Sequence, residues 1–142
     1  MDTMALTRPT VQRKRRISLT AAPAAAAAAR SYVRAAIGAW DVPVDVSVTE
    51  LLVSELVTNA IRHEEGETVT LVITSAGDQV RVEVHDTSRS VPIPVDGPAD
   101  AETGRGLMLV ASLSKEWGFY RTPTGKAVYF TLTCQAGMEE GG

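Results

Sequence analysis

The pattern of apolar and polar residues divides the chain into segments with the period of a helix and segments with the period of a strand. Apolar residues recur at helical spacing over residues 23–39, and again from Asp45 or Ser47 to His63. Pro23 suits the first turn of the first helix, and Asp45 or Ser47 can cap the second. These residues therefore predict two consecutive helices joined by a short connector.

Strand-like alternation lies on both sides of the helical part. Residues 16–21 (RISLTA) can form a short edge strand ahead of the first helix. Residues 68–76 (TVTLVITSA) and 79–86 (QVRVEVHD) predict two strands around a tight turn, and in the second strand three valines alternate with charged or polar neighbours. This alternation indicates a sheet with one covered face.

The pattern dissolves over residues 87–106, which contain three prolines and three glycines. A compact domain seldom keeps so long an irregular segment unless it is a functional loop. Helical spacing resumes over residues 107–118, a turn follows at 121–126, and residues 127–134 predict the last strand. The resulting order predicts an α+β two-layer sandwich, with a largely antiparallel sheet covered on one face by helices.

Composition and charge narrow the classes of function. The chain of 142 residues, of which 44% are apolar, is long enough for one domain with a substantial core. We expect residues 1–12 to be disordered, residues 13–135 to form the domain, and residues 136–142 to be a flexible tail. The net charge of −3 provides no global attraction for nucleic acid, so no direct nucleic-acid partner is expected.

Two N-terminal features resemble targeting signals. The basic run at residues 13–16 (RKRR) would suit a nucleic-acid or targeting patch, although short charge runs more often belong to solvated termini. The alanine-rich stretch behind it has the order of a signal peptide, but Pro23 interrupts it and it leads into an amphipathic helix. No stretch has the roughly 18 apolar residues needed to cross a bilayer. The single cysteine, Cys134, excludes an internal disulfide, so we expect a cytoplasmic protein without a membrane partner.

A stripe of polar residues on the second helix is the first candidate for chemistry. Glu55, Asn59 and His63 follow one another at four-residue intervals, which stacks them on one helix face among mostly apolar neighbours. An amide oxygen suits a hard cation such as Mg²⁺, and a carboxylate one turn earlier can act as a general base. The alternative is an interior helix whose polar groups bond to neighbouring backbone.

Two further features lie at the ends of the long irregular segment. Asp86 can accept a hydrogen bond from a ligand amine, or it can serve as a turn or cap residue. The Gly-Arg-Gly run at 104–106 allows close approach of the backbone, and the helix that follows points its free N–H groups and positive dipole end at the same spot. This arrangement suits a phosphate, although a loop-closing turn explains a lone GxG equally well.

Together, and in this order, these segments resemble the GHKL ATPase superfamily, and within it the bacterial anti-sigma-factor serine/threonine kinases. SELVTNAIRH (54–63) resembles their N-box, VRVEVHDTS (80–88) their first glycine box, GRGLMLV (104–110) their second, and GKAVYFTL (125–132) their closing strand. The resemblance covers about residues 17–133. It implies a Bergerat-type fold, with ATP and Mg²⁺ as ligands.

The resemblance also implies a role for each candidate residue. Glu55 would be the general base, Asn59 the Mg²⁺ ligand, and Asp86 the acceptor for the adenine amino group. His63 matches an N-box position near the phosphates, and the irregular segment would act as a lid. The remaining nucleotide-binding positions belong to the second glycine box and the closing strand: Gly104, Arg105, Gly106, Leu107 and Gly125.

Two positions depart from the family pattern. The first glycine box commonly reads Asp-x-Gly-x-Gly, whereas Asp86 is followed here by Thr-Ser-Arg-Ser. The closing box commonly has Gly-Thr, whereas here Gly125 is followed by Lys126. Neither departure touches the polar stripe of the N-box.

The resemblance implies a protein kinase that is also a binding switch. It would hold a sigma factor inactive, or phosphorylate a serine on an antagonist of the STAS-domain type, and it is compatible with a homodimer. Phosphoryl transfer of this kind needs chiefly positioning and charge neutralisation. The alternative from another class is a non-catalytic, ATP-gated module that sequesters a partner without transferring phosphate.

Overall fold

The structure is a computed structural model that describes residues 12–63, 67–89 and 102–135, with the side chains of residues 63 and 102–105 left out of that description. The elements follow one another in the order β1 (Gln12–Thr20), α1 (Ala25–Trp40), α2 (Val46–His63), β2 (Thr68–Ala76), β3 (Gln79–Asp86), α3 (Glu102–Leu113), β4 (Glu116–Thr122) and β5 (Gly125–Thr133).

The five strands form one antiparallel sheet in the order β1-β2-β3-β5-β4. Val80, Val82 and Val84 of β3 are buried on the same face, called here the inner face, because alternate residues of a strand point the same way. Val82 lies opposite Phe130 and Val84 lies opposite Val128. The helices pack on this face and enclose the core, which confirms the expected α+β two-layer sandwich.

The two N-terminal helices begin and end at identifiable signals. The Val48 N–H donates to Asp45 Oδ1 at 3.0 Å, so Asp45, one of the two predicted candidates, caps α2. The α1 helix ends where Asp41 adopts a left-handed conformation, φ 54°, and its N–H donates to the Gly38 carbonyl. Both helices bury an apolar stripe, which in α1 consists of Ala25, Ala29, Val33, Ala36 and Ile37 and in α2 of Leu52, Val53, Leu56, Val57 and Ala60.

The segment after α3 differs from the sequence prediction. Helical spacing was expected to continue to residue 118, but α3 ends at Leu113 and residues 116–122 form the edge strand β4. Trp117 pairs with Phe130 of β5 and packs against the core, whereas Phe119 is exposed. Trp117, Phe119, Tyr120 and Thr122 of β4 are residue types enriched in strands, so a strand signal was present and the helical prediction extended over its start.

The N-terminal strand is longer than the sequence predicted. The basic run at 13–16 was interpreted as a solvated terminus, but it lies in β1, where Arg13 pairs with Ser75 and Arg16 with Val72. Long charged side chains are tolerated there because β1 is an edge strand. Gln12, expected in a disordered terminus, begins this strand. The predictions for residues 1–11 and 136–142 lie outside the described residues.

Within the described ranges, no helix combines the length and apolar character that a membrane span requires.

Candidate functional site

Glu55 of α2 lies directly against the second glycine box. A Cβ atom built on Gly106 of α3 would lie 2.5 Å from Glu55 Oε1, which is closer than van der Waals contact permits. Glu55 is half-buried at this junction of the two helices. The structure therefore brings together the residue predicted to be the general base and a glycine predicted to bind phosphate, and only a glycine at 106 leaves the carboxylate in this position.

Asn59 lies one turn further along α2 and is 5% exposed. Its Nδ2 atom is buried and has no hydrogen-bond acceptor within the described part of the chain. A buried donor left unpaired costs about 1–3 kcal/mol, so stability alone does not account for an amide at this position. An amide oxygen is a ligand type that Mg²⁺ takes, and the N–H can donate to a phosphate oxygen. The observed environment therefore fits the predicted role.

The described residues contain no group of three or more His, Cys, Asp or Glu side chains that could hold a metal ion. Mg²⁺ commonly binds through few protein ligands and keeps waters and substrate phosphates in its coordination shell. The Asn59 side chain therefore suits a Mg²⁺ ion that arrives with a nucleotide, rather than a resident metal held by the protein.

Asp86 is held by a buried lysine at the end of the inner face. Asp86 of β3 and Lys126 of β5 are cross-strand partners, and their side chains are 0% and 1% exposed. Lys126 Nζ lies 3.1 Å from both Asp86 Oδ1 and Oδ2, and the Ser88 N–H donates to Oδ1 at 2.8 Å. The sequence predicted an Asp86 carboxylate that accepts from adenine. The structure shows a carboxylate that already accepts from a cation of the protein.

Gly125 lies beside this ion pair at the first position of β5. A Cβ atom at this position would collide with the Asp86 carbonyl oxygen and the Thr87 backbone. The glycine therefore allows β5 to begin in close contact with the end of β3. Its predicted place in the nucleotide-binding set corresponds to a position next to Asp86.

The second glycine box lies inside a helix rather than before one. The sequence predicted a turn at 104–106 followed by a helix, but α3 begins at Glu102. A glutamate in the first turn is favourable because the helix dipole places positive charge there. Leu107 is 1% exposed and its side chain belongs to the core, and its place among the nucleotide-binding positions remains a prediction.

The remaining predicted positions can be placed only by their backbone. His63 is the last residue of α2, and Gly104 and Arg105 lie in the first turns of α3. The side chains of His63 and Arg105 are outside the described residues, as are residues 90–101 of the expected lid. Their roles remain predictions.

A polar network covers the opposite, outer face of the sheet, and the sequence did not indicate it. Glu83 interacts with His85 Nε2 at 2.9 Å, and it accepts hydrogen bonds from the Tyr120 hydroxyl and Arg81 Nε at 2.7 Å. The hydrogen bond with His85 is the largest of the effects that lower the Glu83 pKa to about 2. Burial, followed by the bond to Glu83, raises the pKa of Tyr120 to about 12. Arg81 also stacks over the Tyr129 ring, 3.7 Å from its centroid, so the network ties β3 to β4 and β5.

Lys126 is the site residue that the sequence prediction missed as a partner of Asp86. The signal was present, because Lys126 shares the period-two face of Val128, Phe130 and Leu132, all of which are buried. A lysine in phase with core residues has to find a buried counter-charge. Asp86 lies on the same, inner face of β3 as the three buried valines of that strand.

Comparisons with known proteins identify the family of the chain. Residues 19–132 match the family model described as histidine kinase-like ATPase domain, and this range contains the sites on α2, β3, α3 and β5. The chain is similar to Blue-light-activated histidine kinase 2 of Erythrobacter litoralis (strain HTCC2594), with 34% identity over 96 residues. That similarity covers 62% of this chain and 28% of the relative, so it spans little more than a quarter of the relative's length.

Proposed function

The chain belongs to the histidine kinase-like ATPase family, and within this family we propose that it is an anti-sigma factor with serine/threonine kinase activity. Its acceptor is a serine of a STAS-type antagonist protein, and its binding partner is a sigma factor. Family membership implies an ATP-binding domain. The finer proposal is supported by the N-box and second glycine box, whose sequences resemble those of the small anti-sigma kinases.

The observation that carries the nucleotide site of this proposal is the buried Asn59 amide, which has an unpaired donor one helical turn from Glu55. Structural polar groups in a core are normally paired. An unpaired amide beside a carboxylate, with Gly106 closing the same junction, is the arrangement expected where a ligand supplies the missing partner.

The residues present can divide the work of phosphoryl transfer. Bound ATP would supply the γ-phosphoryl group and leave as ADP, and the accompanying Mg²⁺ would neutralise the charge that develops. Asn59 would hold the metal, and Glu55 would orient or deprotonate the attacking hydroxyl. The lack of a side chain at Gly106 leaves room for the Glu55 carboxylate, since a Cβ atom there would displace it. Asp86 and Lys126 form the end of the site that would receive the base.

A transfer assay with two variants tests the assignment. Glu55→Gln is expected to keep near-normal ATP affinity and to lose transfer by roughly 10²–10⁴-fold, the usual contribution of general-base catalysis. Asn59→Ala is expected to lose both, because it removes a metal ligand. Glu50→Gln on the same helix is the matched control, since Glu50 pairs with Arg34 at the α1–α2 surface.

The acceptors are the STAS-domain proteins of the source cell, each purified and incubated with radiolabelled ATP. If Glu55→Gln transfers phosphate as well as the wild type, Glu55 is structural and the proposed mechanism is wrong. If the wild type captures a partner only with ATP bound but never modifies it, the chain is a non-catalytic ATP-gated module instead.

A further inference from the structure

The ion pair between Lys126 and Asp86 lies where the base of a nucleotide is expected. Its two side chains are almost fully buried, and they meet where the end of β3 lies beside the start of β5, next to Gly125. Such a pair costs solvation on both sides, and a well-packed neutral pair is often no less stable. Because the fold gains little stability from this pair, we expect its effect to lie in ligand binding.

The lysine takes a position that a base amine would otherwise occupy. Donor-to-acceptor distances of 2.7–3.2 Å are typical of N–H···O bonds, and Lys126 Nζ lies 3.1 Å from each Asp86 oxygen. The Ser88 N–H occupies a further position on Oδ1. An aminopurine that reaches Asp86 therefore meets a carboxylate that already accepts from an ammonium group.

We propose that Lys126 is a specificity-determining residue of the nucleotide site, because its ammonium group replaces the purine amino group on Asp86. This inference rests on the proposed ATP site and states how that site treats the base. An ammonium is a stronger donor to a carboxylate than a neutral amine, since charge-assisted hydrogen bonds are roughly twice as strong as neutral ones. If the purine amino group displaced the ammonium group, a strong hydrogen bond would be exchanged for a weaker one. The amino group therefore adds little to the affinity for adenine.

The consequence is weak discrimination at position six of the purine. A 6-amino purine gains little from Asp86 while Lys126 holds it, so ATP and the 6-oxo analogue ITP bind with similar affinity. Replacement of Lys126 by a short neutral residue exposes the carboxylate to the base. The amino group of ATP then gains a hydrogen bond to a charged acceptor, which ITP cannot make.

Calorimetric titration of the full chain with ATP and with ITP, both with Mg²⁺, tests this inference. The wild type is expected to bind ATP and ITP with affinities within about threefold of each other. The difference in their binding free energies should be smaller than the contribution of one good hydrogen bond. Lys126→Thr is expected to bind ATP at least about tenfold more tightly, with ITP nearly unchanged. Lys115→Thr, an exposed lysine between α3 and β4, is the matched control and should change neither affinity.

Lys126→Gln covers the case in which Lys126→Thr does not fold, because removal of one partner of a buried pair is strongly destabilising. Its neutral amide can still donate to Asp86, but more weakly than the ammonium group of Lys126 does. The purine amino group displaces it more easily, so the ratio of ATP to ITP affinity should lie above that of the wild type. Thermal unfolding of each variant shows whether it is folded.

Two results would overturn the inference. If the folded Lys126 variants bind ATP more weakly than the wild type, or shift ATP and ITP equally, then Lys126 contacts the nucleotide directly. If neither the wild type nor any folded variant binds either nucleotide at millimolar concentration, the proposed ATP site itself is wrong, and this inference is wrong with it.

Discussion

Replacement of Asn59 by leucine should make the protein more stable while it removes the response to nucleotide. Asn59 is 5% exposed, and its Nδ2 lacks an acceptor among the described residues. Relief of an unpaired buried donor is worth about 1–3 kcal/mol, and the slightly larger side chain costs part of that through tighter packing. We expect a net gain of about 1 kcal/mol in the free energy of unfolding, or roughly 3 °C in Tm for a domain of this size.

Thermal unfolding with and without Mg-ATP measures both effects in one assay. A ligand at 100 times its Kd stabilises the folded state by about 2.7 kcal/mol. The order should therefore reverse: Asn59→Leu melts above the wild type without nucleotide, and the wild type melts above Asn59→Leu at saturating Mg-ATP.

Thr131→Val is the matched control for this experiment. Thr131 is 4% exposed, and its Oγ1 atom is likewise buried with no hydrogen-bond partner within the described ranges. Thr131 faces outward on β5, away from the α2–α3 junction, so the near-isosteric valine should raise Tm and keep the full response to Mg-ATP. An Asn59→Leu protein that is less stable than the wild type, or that is stabilised by Mg-ATP as strongly, would refute the reasoning.

Two further predictions concern the glycine box and the outer face. Gly106→Ala should change the free energy of unfolding by less than about 1 kcal/mol, because the colliding atom is the mobile end of Glu55, yet lower phosphate transfer by about 10–10²-fold through displacement of that carboxylate. Gly38→Ala, which meets no atom within 4 Å, should leave transfer unchanged, and equal transfer by both variants would contradict the assignment. The Glu83 pKa is lowered from 4.5 to about 2, chiefly by the hydrogen bond with His85, so its ionised form stabilises the fold fully above pH 4.5 and this contribution is lost as pH falls toward 2. Denaturant unfolding should therefore show a difference between wild type and Glu83→Gln that is constant at neutral pH and shrinks over that acid range, and a constant difference down to pH 2 would contradict it.

The parts of the fold that local pattern controls could be predicted from the sequence. The bounds of β2 and β3 agree with the prediction at every residue, because β2 is rich in β-branched residues and β3 alternates strictly between buried and half-buried side chains. The α2 helix was predicted from its helical spacing with a cap at Asp45 or Ser47, and the structure places the cap at Asp45. The strand β4 was missed because helical spacing was extended to residue 118, although Trp117, Phe119 and Tyr120 are strand formers, and pairing with β5 decides between the two.

In the candidate site, too, features set by local sequence could be predicted, and those that depend on tertiary contacts could not. Spacing alone placed Glu55 and Asn59 on one face of a helix, but only the folded chain shows that Gly106 closes against Glu55. Asp86 and Lys126 could each be assigned to a buried phase of their strands. Their pairing depends on the register of β3 with β5, and no sequence pattern between these two residues, which are 40 positions apart, specifies this register.

The most direct test of the central claim is a calorimetric titration of the full chain with ATP, carried out once with Mg²⁺ and once with EDTA. The site predicts saturable binding at a single site that is stronger with Mg²⁺, because Asn59 would hold the metal only together with the nucleotide phosphates. It also predicts that Asn59→Ala loses this dependence on the metal. The absence of any binding heat or thermal stabilisation by millimolar Mg-ATP, with folded wild-type protein, would contradict the claim that this chain is an ATP-binding regulator.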